Sequence, residues 1–134
     1  MANEAVIVEL LGNKGDPISV TVADGVDIAK GTLMKIADPR TGSATSADGD
    51  AFIGIAAAAK VADDGSTNLA VYTNGIFDIK DSGSGITAGQ TVKIDGANLI
   101  ATADEAGAQD SAQIVGIALE TAANSEVIEV RINK

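Results

Sequence analysis

Two stretches of this chain decide the reading of its fold: Ile28-Ala29-Lys30-Gly31-Thr32-Leu33-Met34-Lys35-Ile36 and Ile86-Thr87-Ala88-Gly89-Gln90-Thr91-Val92-Lys93-Ile94. They echo one another position by position, and the echo continues in order. Phe52-Ile53-Gly54-Ile55-Ala56 is answered by Ile114-Val115-Gly116-Ile117-Ala118, and Leu69–Asn74 by Ile128–Asn133. Three ordered matches at nearly constant spacing indicate an internal repeat of about 55–60 residues. A half-unit of that size buries little apolar surface alone, so the two are expected to share one core.

The repeated units are made of strands. Their apolar segments are short, rich in Val and Ile, and separated by Gly, Asp and Asn. Strands are expected at Ala5–Leu11, Ile18–Val22, Leu33–Ile36, Phe52–Ala58, Asn68–Tyr72, Gly75–Ile79, Thr91–Ile94, Leu99–Ala101, Ile114–Leu119 and Val127–Ile132. Alternation supports several of them. Ile128, Val130 and Ile132 share one face of the last segment, and Glu129 and Arg131 share the other. Asn74-Gly75 and Asp95-Gly96 each lie between apolar runs, the pattern of a tight hairpin. Pro39–Asp50 reads as the longest polar loop, and Asp104–Asp110 as the one candidate for a short helix. Gly54 and Gly116 stand at matching points inside apolar strands, where a glycine marks a bulge or a close backbone approach. The expectation is an all-β, compact, barrel-like or tulip-like domain over residues 1–134, with at most one short helix. An N-terminal strand or arm would occupy residues 1–12, and the pseudo-repeat halves about 18–80 and 81–134.

Composition narrows the function. The chain of 134 residues has no cysteine and no histidine, which removes disulfides, thiolate metal sites, and Ser-His-Asp or Cys-His catalysis. No catalytic, cofactor-binding or metal-binding residue is expected. The net charge of −10 argues against nucleic-acid binding, and Phe52, Tyr72 and Phe77 are too few aromatics for a base-stacking platform or a sugar cleft. The start Met1-Ala2-Asn3-Glu4 lacks a positive region, and the apolar stretch behind it contains Glu9, so it does not read as a signal peptide. No apolar run approaches the ~20 residues of a membrane-spanning helix, and a soluble product, cytoplasmic when made, is expected.

Three motifs have a chemical reading beside a plain one. Asp48-Gly49-Asp50 and Asp63-Asp64-Gly65 contain carboxylates but lack the alternating ligands and closing Glu of a calcium loop, so they read as solvated turns. Lys35 and Lys93 invite comparison with the modified lysine of biotinyl and lipoyl carriers. That lysine sits at a hairpin tip, whereas Lys35 falls within a strand. The run Ala5-Val6-Ile7-Val8-Glu9-Leu10-Leu11, followed by Gly12–Pro17, is a β-prone segment that can complete the chain's own sheet or pair with the edge of a neighbour.

The strand Glu4–Leu11, Gly15–Ile36 (GDPISVTVADGVDIAKGTLMKI), Phe52–Thr67 (FIGIAAAAKVADDGST) and Ala70–Ile79 (AVYTNGIFDI) together resemble the phage capsid cement proteins, relatives in role of the lambda-type head decoration proteins. The resemblance extends more loosely through Ile86–Ile132. Unlike the lambda-type proteins, this chain is expected to open almost directly on a strand, without a long arm. The resemblance implies a virion protein on the outer capsid surface, partnered with a major capsid protein of the HK97 fold and with itself as a homotrimer. Ala5, Val6, Ile7, Val8, Glu9, Leu10 and Leu11 are the capsid contacts expected from the edge-pairing reading. A tail or fibre module, or a small-ligand-binding β module, is the alternative.

Overall fold

A computed structural model describes residues 3–9, 17–103 and 111–134. The chain is all-β. Its strands are β1 (Val6–Glu9), β2 (Ile18–Thr21), β3 (Leu33–Ala37), β4 (Thr41–Ala44), β5 (Phe52–Ala56), β6 (Asn68–Tyr72), β7 (Asn74–Asp81), β8 (Thr91–Ile94), β9 (Leu99–Thr102), β10 (Ile114–Ala118) and β11 (Val127–Asn133). The one helical element among the described residues is a 3-10 turn at Ser111–Gln113. The helix expected at Asp104–Asp110 lies outside the described residues.

The repeat is realised as two five-stranded barrels with the same strand order. The first closes as β2-β4-β3-β5-β6, and the second as β7-β9-β8-β10-β11. Each closes through one parallel pairing, Thr21 with Thr41 in the first and Lys80–Asp81 with Leu99–Ile100 in the second. Isolated bridges fall at repeat-related places too, Ile28 with Lys60 and Ile86 with Ala122. β7 belongs wholly to the second barrel, so the strands divide at Thr73, ahead of the boundary near residue 80 drawn from the sequence echo.

The matching glycines produce matching bulges. In the first barrel Met34 pairs with Gly54 and Lys35 with Phe52, which leaves Ile53 as the extra residue. In the second, Val92 pairs with Gly116 and Lys93 with Ile114, which leaves Val115. A Cβ on Gly54 would overlap the carbonyl oxygen of Tyr72, and one on Gly116 would overlap that of Arg131. The neighbouring strand crosses so closely that only glycine fits, and the bulge supplies the bend a small barrel needs.

Two expectations about single segments are corrected. The polar loop expected over Pro39–Asp50 contains β4. Thr41-Gly42-Ser43-Ala44 has no apolar alternation, yet it pairs with β3 and closes the barrel against β2. Gly42 is buried there, and a Cβ on it would stand 2.7 Å from Val20 Cγ2. Pairing on both edges, rather than side-chain burial, makes this strand. Asn74-Gly75 is not a hairpin turn. β6 pairs with β2 and β5, while β7 pairs with β1, β9 and β11, so the chain passes from one barrel to the other at this point. Asp95-Gly96 does turn a hairpin between β8 and β9.

Nor do the halves share a single core. A smaller cluster of Val20, Val22, Ile28, Met34, Ala56, Leu69 and Val71 fills the first barrel. A larger one fills the second barrel and takes in Leu33, Phe52 and Ile55 from the first. Those three alternate with the inward-facing Met34, Ile53 and Ala56, so they lie on the outside of the first barrel, buried where the barrels meet.

The joint is also polar. Asn98, in the β8–β9 turn, accepts a hydrogen bond from Leu33 N–H on Oδ1 at 2.8 Å. Thr45 donates from Oγ1 to Gly96 O at 3.0 Å, and Lys93 Nζ lies 3.0 Å from Asp48 Oδ1. The N-terminal segment ties the same two bodies together. Ala5 N–H donates to Gly31 O of the first barrel at 2.7 Å, while β1 pairs with β7 of the second.

Candidate interaction surface

β1 is the element that the sequence singled out, and its pairing fixes what it can offer. It runs antiparallel to β7, with Val6 opposite Asp78, Ile7 opposite Phe77 and Glu9 opposite Ile76. A register shift falls between Ile7 and Glu9. Ala5 is buried and Ile7 packs on the larger core, whereas Val6 is 59% exposed. Strand alternation is the cause: Ala5 and Ile7 face inward, and the residue between them must face out. β1 is an edge strand, and among the described residues no strand pairs with its outer side. Its outward amides and carbonyls therefore have the geometry to receive a strand from another chain. Leu10 and Leu11, also expected as contacts, lie outside the described residues.

The carboxylate motifs close turns. Asp50 Oδ2 accepts from Ser46 N–H at 2.7 Å and Ala47 N–H at 3.0 Å, and Lys35 Nζ lies 3.5 Å away. Burial pushes the Asp50 carboxyl up, but those two amides and the Lys35 ammonium outweigh it and hold the group below its ordinary range. Asp64 Oδ1 accepts from Ser66 N–H at 2.8 Å. That bond, opposed by burial and assisted by Lys60 and Val61 N–H, holds Asp64 below the usual carboxylate range. Among the described residues no three His, Cys, Asp or Glu side chains are grouped to hold a metal ion.

Neither lysine of the repeated motif stands at a hairpin tip. Lys35 is in β3, bonded from Nζ to Ser46 Oγ at 3.1 Å, and Lys93 is in β8, paired with Asp48. Lys60 is the lysine that sequence reading passed over. Its side chain is 1% exposed, and Nζ donates to Asp24 O at 2.7 Å and Val61 O at 3.2 Å, with Asp24 and Asp64 carboxylates alongside. A buried ammonium needs this many acceptors. The role is structural: Lys60 ties the Asp24 and Asp64 turns at one end of the first barrel, and Ala122 takes its place in the second.

Sequence reading also missed the exposed apolar side chains beyond Val6. Val26 and Val61 lie near the Asp24 and Asp64 turns, and Ile117, Leu119 and Val127 lie on the second barrel, each between 42% and 63% exposed. Isolated exposed apolar residues are ordinary. Ile117 differs because its repeat partner, Ile55, is fully buried.

Among the described residues the arrangement is one of surfaces: a strand edge with no partner strand, a few outward apolar side chains, and acidic turns closed by their own backbone. Residues 12–133, nearly the whole chain, match the family model described as phage cement protein. No curated protein matches the chain.

Proposed function

This chain belongs to the phage cement protein family, and from that premise we propose that it binds the exterior of an expanded HK97-type capsid as a homotrimer and bridges neighbouring capsomers. Phage cement proteins stabilise the capsid and are structural rather than enzymatic. The finer reading rests on one observation above the others: β1 is an edge strand whose outer side has no partner strand among the described residues, with Val6 exposed and Ala5 tied to the first barrel. Backbone pairing along that edge would give affinity, and the outward Val6 would pack beside the added strand. Made in the host cytoplasm, the acidic chain would stay soluble until it meets the shell, and its charge of −10 keeps it off the packaged genome. An interface of roughly 1,200–2,000 Å² per contact is enough for a specific complex. Three linked copies raise the effective concentration at each site. Binding across a subunit boundary adds free energy that must be lost before the shell opens.

Occupancy on purified capsids is the test. Deleting residues 2–11 removes the strand, but it also removes Ala5 from its place against Gly31, so folding must be followed by circular dichroism. Val6→Asp is the gentler variant, because it leaves inward-facing Ala5 and Ile7 untouched. A folded Val6→Asp protein is expected to bind at least about tenfold more weakly, a difference of about 1.4 kcal/mol. Full occupancy by both folded variants would remove β1 from the capsid contact.

A further inference from the structure

The two barrels are built alike but use one face differently. On the first, Leu33, Phe52 and Ile55 point outward and are 0%, 2% and 0% exposed, because the second barrel covers them. The repeat puts Thr91, Ile114 and Ile117 at the same positions on the second barrel. There Thr91 and Ile117 are exposed and Ile114 is half-buried. This open face forms a concavity of about 500 Å³ lined by Thr91, Ile114, Gly116, Ile117, Arg131 and Asn133.

What covers the first face identifies what would cover the second. The β8–β9 turn reaches across from the second barrel, and its last residue, Asn98, accepts the Leu33 N–H. The repeat equivalent of that turn is Asp38-Pro39-Arg40, between β3 and β4 of the first barrel. Arg40 and Asn98 even share the left-handed backbone, at φ 49° and 58°. Among the described residues this first turn meets no barrel face equivalent to the one Asn98 meets, Arg40 Nε donating instead to Ser19 O of its own barrel at 2.8 Å, and the matching residues of the second barrel are exposed or half-buried.

We propose that the open face binds the first barrel of a second copy, head to tail, with the Asp38–Arg40 turn docking beside Thr91 as the Asn98 turn docks beside Leu33. Charge favours this occupant: Arg131 and Lys134 line the face in a chain of net charge −10, and the first barrel, residues 18–73, carries seven carboxylates against four basic side chains. The face is also more polar than its buried counterpart, with Thr91 in place of Leu33 and Arg131 in place of Tyr72, as suits an interface formed between separately folded molecules. Such a contact is heterologous: it closes into a ring when the rotation permits and otherwise grows as a filament. The inference deepens the trimer in the proposed function by naming its surface, and the two fail separately.

Sedimentation velocity over a concentration series tests it first. The wild type is expected to form an assembly larger than the 13.3 kDa monomer, and Ile117→Glu, whose side chain is already half in solvent, to stay folded and monomeric. The second test uses the absence of cysteine. Thr91→Cys on one preparation and Arg40→Cys on another, mixed and oxidised, are expected to give a disulfide joining the two variants, with neither joining to itself. A wild type that is monomeric throughout, an Ile117→Glu variant that assembles as the wild type does, or self-joined Thr91→Cys pairs in place of mixed ones would overturn the proposal. A monomer that still saturates capsids would sink this inference and spare the capsid reading. An assembly that ignores capsids would do the reverse.

Discussion

Replacing Asn98 tests whether the barrels are joined as described. Asn98 is 9% exposed, and its Oδ1 satisfies the N–H of Leu33, a residue with no exposure of its own. Asn98→Ala leaves that buried amide without its partner, at a cost of about 1–3 kcal/mol. The backbone at position 98 is left-handed, φ 58°, a conformation that alanine tolerates less well than asparagine, which adds about 1 kcal/mol. The sum is about 2–4 kcal/mol. Unfolding entropy near 60 °C is about 2.1 cal/mol/K per residue, so for 134 residues it totals about 280 cal/mol/K, and each kcal/mol lowers Tm by about 3.6 °C. Asn98→Ala should therefore melt about 7–14 °C below the wild type by differential scanning calorimetry. Asn98→Gly loses the same hydrogen bond without the backbone strain and should recover about 3 °C of that loss. A Tm drop below about 3 °C for Asn98→Ala, less than 1 kcal/mol, would show that the joint does not depend on this contact. A glycine variant no better than the alanine one would refute the strain component.

Two further perturbations follow from the same geometry. Gly116→Ala and Gly54→Ala push a methyl group into a backbone carbonyl across the ladder and should each cost about 3 kcal/mol or more. Gly49→Ala, with positive φ but nothing within 4 Å, should cost only about 1–2 kcal/mol; equal urea midpoints for the three would contradict the close crossing. The folded-state pKa of Asp50 is depressed below its ordinary 3.8, so its contribution is complete above that value and fades as pH falls through the lower, folded one. Asp50→Asn should thus unfold at lower urea than the wild type at pH 6, by about 1–2 kcal/mol. The gap should narrow in acid below the folded pKa, and a gap independent of pH would remove the charged form from the explanation.

Much of the fold could be read from residues whose chemistry is local. The echo of Ile28–Ile36 in Ile86–Ile94 set the duplication, and the alternation in Val127–Ile132 set an inward and an outward face that the barrel keeps. Gly54 and Gly116 were legible as bulge markers because a lone glycine within an apolar strand has few other uses. What stayed hidden depends on partners distant in sequence. β4 has no apolar pattern and exists because β2 and β3 pair with it, although its repeat partner, Leu99–Thr102, is an ordinary apolar strand and offered the clue. Asn74-Gly75 has the chemistry of a hairpin, yet the barrels to which its flanking strands belong decide the path. The candidate surface was half visible. A β-prone run at Ala5–Leu11 pointed to an edge strand, but Ala5 and Ile7 are occupied by the chain's own core and only Val6 among the described side chains faces out. The contrast between Ile55 and Ile117 could not be read at all, since the repeat makes them identical and only the packing of one barrel on the other separates them.

The central claim is that this protein holds a capsid shut by binding it. Expanded capsids lacking the protein, titrated with it and heated in the presence of a DNA-binding dye, report the temperature at which the shell opens. Ligand linkage adds about 2.7 kcal/mol per site at a hundred times Kd, so the opening temperature should climb with added protein and keep rising logarithmically beyond full occupancy. An opening temperature that does not move while the sites are demonstrably filled would contradict the account.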